Sequence, residues 1–168
     1  MTHVPDPKSN QLLAALPETE WLRLAPRLER VELALGQVLY ESGNTMSHVY
    51  FPTSAIVSLL YVMEDGASAE IAVVGREGVV GIALFMGGET TPSRAVVQSA
   101  GEGYRLSSRV IKEEFNRSGP VMHLMLRYAQ ALLSDAVPDG AVPEVLRRAL
   151  LALVEQLERR KFGKGARL

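Results

Sequence analysis

Between residues 75 and 97 the chain reads GREGVVGIALFMGGETTPSRAVV: five glycines within fourteen residues, then one arginine, Arg94, among small and apolar neighbours. Glycine lets a backbone approach a ligand closely and adopt positive φ, and a guanidinium can fork onto phosphate oxygens. The stretch therefore has the residue types of an anion cradle. It equally has those of ordinary hairpin turns, in which case Arg94 sits near the surface beside a carboxylate such as Glu89. Glu77 reads first as a turn residue and second as a surrogate acceptor for a ligand hydroxyl. Other chemistry finds less support. The three histidines, His3, His48 and His123, fall in a polar start, a strand edge and a helix, without the clustered carboxylates a metalloenzyme on a β-barrel would need. With no cysteine in the chain, thiolate catalysis, disulfides and Cys-ligated metals are excluded.

The elements that must position these residues belong to one core, since 168 residues suffice for a single domain with an appendage. Eighteen Lys and Arg against nineteen Asp and Glu leave no basic field to hold DNA or an acidic membrane. No signal peptide or run of about 18 apolar residues is present, so a cytoplasmic protein with no membrane contact is expected.

Residues 1–9, polar and with two prolines, are expected to be disordered. From Asn10 the apolar spacing predicts two short helices broken at Pro17. Between about Glu29 and Ser107, short runs of Val, Ile, Leu, Tyr and Phe separated by glycine-bearing turns predict some eight strands in an antiparallel sandwich or barrel. Asp65-Gly66 signals one hairpin, and Gly101 with Gly103 a second. A short amphipathic helix to about Gly119 follows. Pro120 then opens a helix apolar on more than one face, through Val121, Met122, Leu124, Met125, Tyr128, Leu132 and Leu133, which calls for two packing partners. Beyond a Pro-rich linker, Leu146, Leu150, Leu153 and Leu157 recur at spacings of four and three, the seam of a coiled-coil-like helix with a basic end.

This order of elements resembles the cyclic-nucleotide-binding sensor domain of the Crp/Fnr superfamily of bacterial transcription regulators. The resemblance covers roughly residues 10–133. It rests on LERVELALGQVLYESGN with Gly36, Leu39 and Gly43, on HVYFPTSAIVSL with Val57, on AEIAVVGREGVVG and on PSRAVV. It implies a mainly β fold, a β-roll or jelly roll over 10–118, followed by a dimerisation helix over 119–134 and by a linker and C-terminal amphipathic helix over 135–168. It places the ligand cradle at Gly81, Ile82, Ala83, Ser93, Arg94 and Ala95, and a homodimer interface at Val121, Met122, Leu124, Met125, Tyr128 and Leu132. In the family cassette a Gly-Glu pair meets the ribose hydroxyl, and an Arg-Ser/Thr-Ala run holds the cyclic phosphate. Here Ile82 follows the matching Gly81, and Ser93 precedes Arg94. An isoleucine accepts no hydrogen bond, so a ribose hydroxyl in the usual pose would be left unpaired at a cost of roughly 1–3 kcal/mol. A cyclic nucleotide is thus a candidate ligand with a degenerate motif, and no other cofactor is indicated.

Past Leu133 only 35 residues remain, with one helix and no recognition helix followed by a wing, so direct DNA binding by this chain is not expected. The tail is weakly similar to the helical segment that precedes the nuclease domain in some HNH-type endonucleases, but the nuclease's own His and Asn residues are absent and no activity carries over. Two expectations follow. The first is a non-enzymatic, dimeric sensor with a small-molecule effector and without its own DNA-binding domain. The alternative is a non-sensing scaffold that dimerises through its C-terminal helices.

Overall fold

The computed structural model describes residues 3–84, 90–117 and 119–135. The predicted linker and leucine-seam helix lie outside the described residues, as does Glu89. Two short helices, α1 (Gln11–Ala14) and α2 (Glu18–Leu24), precede seven strands: β1 (Glu29–Leu33), β2 (Val38–Tyr40), β3 (His48–Pro52), β4 (Ile56–Val62), β5 (Ser68–Val74), β6 (Ser93–Ser99) and β7 (Gly101–Ser107). Helices α3 (Ser108–Asn116) and α4 (Pro120–Asp135) follow. All strand pairs are antiparallel, in two sheets ordered β1-β7-β3 and β2-β6-β4-β5. This is the predicted mainly β roll with flanking helices, built among the described residues from seven strands.

Period-two alternation sets which side chains enter the roll. On β6, Ser93, Ala95 and Val97 are buried, while Arg94 and Val96 are only half-buried. The interior holds Leu33, Tyr50, Val57, Leu59, Val74, Val80, Ala95 and Val97. A second apolar cluster lies where the helices pack on the β1-β7-β3 sheet: Leu13 and Leu24 meet Val49, Phe51 and Leu106 from the strands and Ile111, Phe115, Val121 and Met125 from α3 and α4. Helical spacing explains the last four, since Ile111 and Phe115, like Val121 and Met125, are one turn apart on one face. Burying such side chains stabilises the fold by about 1.5–3 kcal/mol each.

The Asp65-Gly66 hairpin forms between β4 and β5: Asp65 Oδ1 accepts from the Ala67 amide at 2.9 Å, and Gly66 takes φ +85°. The second predicted hairpin does not form. Strands β6 and β7 belong to different sheets, and Ala100 between them turns a corner. Gly101 and Gly103 lie within β7, where a Cβ would stand 2.5 Å from the Ala55 nitrogen and 2.8 Å from the Phe51 carbonyl oxygen, respectively. Their absent side chains permit a close backbone approach, a requirement that resembles a turn signal in sequence.

Of the start expected to be disordered, residues 3–9 are described and make defined contacts. Pro7–Ser9 form a 3₁₀ turn capped by Asp6, the Tyr104 hydroxyl donates to the Pro5 carbonyl at 2.6 Å, and Lys8 stands 4.9 Å from the Trp21 ring centre. The last two contacts join the segment to parts of the chain beyond the reach of local composition.

Candidate ligand site

The glycine-rich stretch descends from β5 through a tight turn. Glu77 closes that turn by accepting from the Gly75 amide at 2.9 Å through Oε1, and the Gly78 amide donates to the Gly75 carbonyl at 3.1 Å. The chain then runs beside β3, with Val80 and Tyr50 exchanging two backbone hydrogen bonds at 2.8 and 3.0 Å. Gly81 is buried at φ +103°, where a Cβ would meet the His48 carbonyl oxygen at 3.3 Å. Only glycine adopts that conformation without strain. Ile82–Leu84 form a 3₁₀ turn; Leu84 is buried, and Ile82 and Ala83 pack against the helix-side cluster.

The other predicted half, on β6, divides between two faces. Ser93 pairs with Tyr61, Arg94 with Leu60 and Ala95 with Leu59 across the β4 ladder. Leu59 is an interior residue, so Ala95 and Ser93 face inward and Arg94 faces outward. There Arg94 Nε stands 3.0 Å from Glu41 Oε1, an ion pair whose two side chains are 39% and 46% exposed. Inside, the Ser93 and Thr91 hydroxyls are 2.9 Å apart, and the Ser93 amide donates to Thr91 Oγ1 at 3.2 Å. Tyr40 faces the same Ser93; burial raises the pKa of its phenol, and the hydrogen bond with Ser93 partly offsets that rise. The inward lining of this half is thus a set of neutral hydroxyls. Tyr40, Thr91 and Glu41 were not among the residues singled out from the sequence. The alternation of PSRAVV was the available signal, because it separates Arg94 from both Ser93 and Ala95.

Helix α4 closes the roll. Val121 and Met125, two of the predicted interface residues, are 2% and 1% exposed in the single chain and are occupied by the helix-side core. Met122, Leu124 and Tyr128 are half-buried on the flanks of the same face, and half-buried Leu132 reaches the interior cluster of the roll. His123 and Arg127 are exposed. Tyr128 packs on the turn below Gly81, where burial raises its pKa and the Val79 backbone partly offsets that rise. A Cβ on Gly78 would fall 2.1 Å from that oxygen and 2.6 Å from the ring carbon bearing it. Gly78→Ala is accordingly expected to push Tyr128 off the turn at about 1–3 kcal/mol, within the range of overpacking. In a double-mutant cycle read by thermal unfolding, Tyr128→Ala should absorb most of that loss; additive losses would show that the clash is relieved elsewhere.

A helix-capped antiparallel roll, with a glycine turn on one side and an inward hydroxyl set on the other, defines a small-molecule-binding roll. The family model of the cyclic nucleotide-binding domain matches residues 30–118, and the chain belongs to that family. No curated protein matches it by sequence. Among solved structures, it is similar to the regulatory subunit of a cAMP-independent protein kinase A from Trypanosoma brucei (20% identity, TM-score 0.64, 74% of this chain and 44% of that one). It is similar also to the N-terminal domain of a transcriptional regulator from Streptomyces coelicolor (24%, TM-score 0.56, 79% and 94%). A third is the sensor domain of the transcriptional regulator DNR from Pseudomonas aeruginosa (17%, TM-score 0.53, 96% and 91%). The chain spans less than half the length of the kinase subunit but nearly all of each regulator domain. At these identities the likeness is one of fold.

Proposed function

We propose that the chain is the effector-sensing, dimerising domain of a Crp/Fnr-type transcriptional regulator, acting in the cytoplasm without catalysis, and that its effector is not held through a phosphate. One observation carries the last point. From Gly75 to Val97 the sequence contains two cations: Arg76 is exposed on the Gly75–Gly78 turn, and Arg94 faces out of the roll toward Glu41. Moving Arg94 inside would take a one-residue slip of β6, which would also turn Ala95 and Val97 out of the core. With Ile82 in place of the ribose-binding carboxylate, both anchors of the usual pose are missing. Effector binding beside α4 would act on how that helix packs, and the flanks that carry Met122, Leu124, Tyr128 and Leu132 are where a second copy would meet it. The residues after Leu133 are assigned no DNA contact. Among the described residues no helix is long and apolar enough to cross a membrane.

Thermal unfolding with cyclic AMP, cyclic GMP and cyclic dinucleotides tests this reading. A ligand at a hundred times its dissociation constant stabilises by about 2.7 kcal/mol, a shift of several degrees at this size. No such shift is expected, and Arg94→Ala should leave the stability within about 0.5 kcal/mol of the parent, the range of a surface ion pair. A shift with a cyclic nucleotide that Arg94→Ala abolishes would restore the phosphate cradle. Light scattering across a concentration series tests the dimer; a monomer throughout would remove the two-fold part of the reading.

A further inference from the structure

A cavity of about 340 Å³ opens between β5 and α4, within the range of small-molecule pockets. Ile71 and Val73 form its sheet side and Ala131 and Leu132 its helix side, with Glu77 and Tyr128 as its polar groups. Both polar groups are held in place, and the carboxylate is only partly used. Glu77 Oε1 accepts from Gly75, while Oε2 has no hydrogen bond and the carboxylate no ion pair among the described residues. Tyr128 packs against the Gly78 backbone, which sets its hydroxyl at the same turn as Glu77. Apolar walls suit a flat hydrophobic body, and a fixed carboxylate at their edge suits N–H donors while repelling phosphate, sulfonate or carboxylate.

Resting on the sensor reading above, we propose that this cavity seats a flat, apolar, neutral or cationic effector that presents N–H groups to Glu77, and that it discriminates against anions. Occupation would press on Leu132 and Tyr128, the two α4 residues that touch the roll interior and the glycine turn, so the same ligand would report directly to the helix. This site is distinct from the hydroxyl set around Ser93 and needs no residue of it.

The test is a fluorescence titration of the full chain with two flat aromatic dyes of opposite charge: diamidinophenylindole, a cation rich in N–H donors, and anilinonaphthalene sulfonate, an anion. The cationic dye should bind at least tenfold more tightly. Glu77→Gln should erase that preference without lowering the unfolding midpoint by more than a degree or two. Ala131→Trp, which adds bulk at an exposed position on the cavity wall, should abolish binding while the protein stays folded. Equal affinity for the two dyes, a preference that survives Glu77→Gln, or binding that survives Ala131→Trp would overturn the proposal. So would loss of the cationic dye in step with dimer formation, since a second copy would then be the occupant. A failure here leaves the sensor reading standing, because the cyclic-nucleotide unfolding series and the light scattering test that reading without involving this cavity.

Discussion

Asn10→Ala is expected to lower stability by about 3–4 kcal/mol, roughly ten degrees in unfolding midpoint, although Asn10 lies far from any strand in sequence. Its side chain is fully buried and makes four hydrogen bonds. Oδ1 accepts from the Leu12 and Leu13 amides at 3.0 and 3.2 Å and so caps α1. Nδ2 donates to the Pro52 and Gly78 carbonyls at 2.9 and 2.8 Å. Loss of the cap alone costs about 1 kcal/mol, and two buried carbonyls stripped of their donor add about 1 kcal/mol or more each. Asn10→Asp separates the two contributions. The carboxylate keeps the cap but turns an acceptor toward two carbonyl oxygens, so at neutral pH it should be no more stable than the alanine variant. A loss below 1 kcal/mol for both would mean that other groups replace the Asn10 bonds. Because Gly78 also carries the Tyr128 contact, Asn10 ties the N-terminal helices to the turn beneath the candidate site.

The second large effect is expected at Glu114, a buried carboxylate on α3 that receives Arg23 Nε at 2.8 Å and Nη2 at 2.6 Å. Glu20 shares the same guanidinium, whose pKa the two carboxylates raise. Removing one partner of a buried pair costs 3–5 kcal/mol at full burial; Arg23 is about a third exposed and keeps Glu20, so Glu114→Ala should cost about 2–3 kcal/mol. The hydrogen bonds from Arg23 outweigh burial and hold the Glu114 carboxyl below its ordinary range. Its folded-state pKa is therefore depressed. The associated stability is fully present above the unfolded value of about 4.3 and is lost as pH falls through the folded value. Urea unfolding should show a wide gap between the parent and Glu114→Gln at pH 7, and a narrower one near pH 4 and below. A gap that stays constant over that range would show that the ion pair contributes through packing alone.

The sequence alone carried the parts of this protein that depend on neighbours a few residues apart. Alternation in the runs from Glu29 to Ser107 marked the roll, Asp65-Gly66 marked the β4–β5 hairpin because its backbone requirement is local, and Pro17 and Pro120 marked helix boundaries through the missing amide hydrogen. The list of cations near the glycine turn was also complete from the start, because composition needs no fold. What the sequence could not supply was the direction in which each residue faces a distant partner. Arg94 is excluded from the roll by its register against Leu60, and it meets Glu41 from a separate strand. Gly101 and Gly103 serve close contacts with Ser54, Ala55 and Phe51, so their turn-like composition misled. Val121 and Met125 look identical in periodicity to interface residues and are taken by the core, since a helix pattern gives its apolar faces but not which partner covers each. Asn10, Glu114 and the cavity beside Glu77 likewise exist only once segments far apart in the chain are packed together. Register and burial are properties of the whole assembled chain, each strand's choice being settled by the apolar surface it removes from water jointly with its neighbours, and only the tertiary structure records that choice.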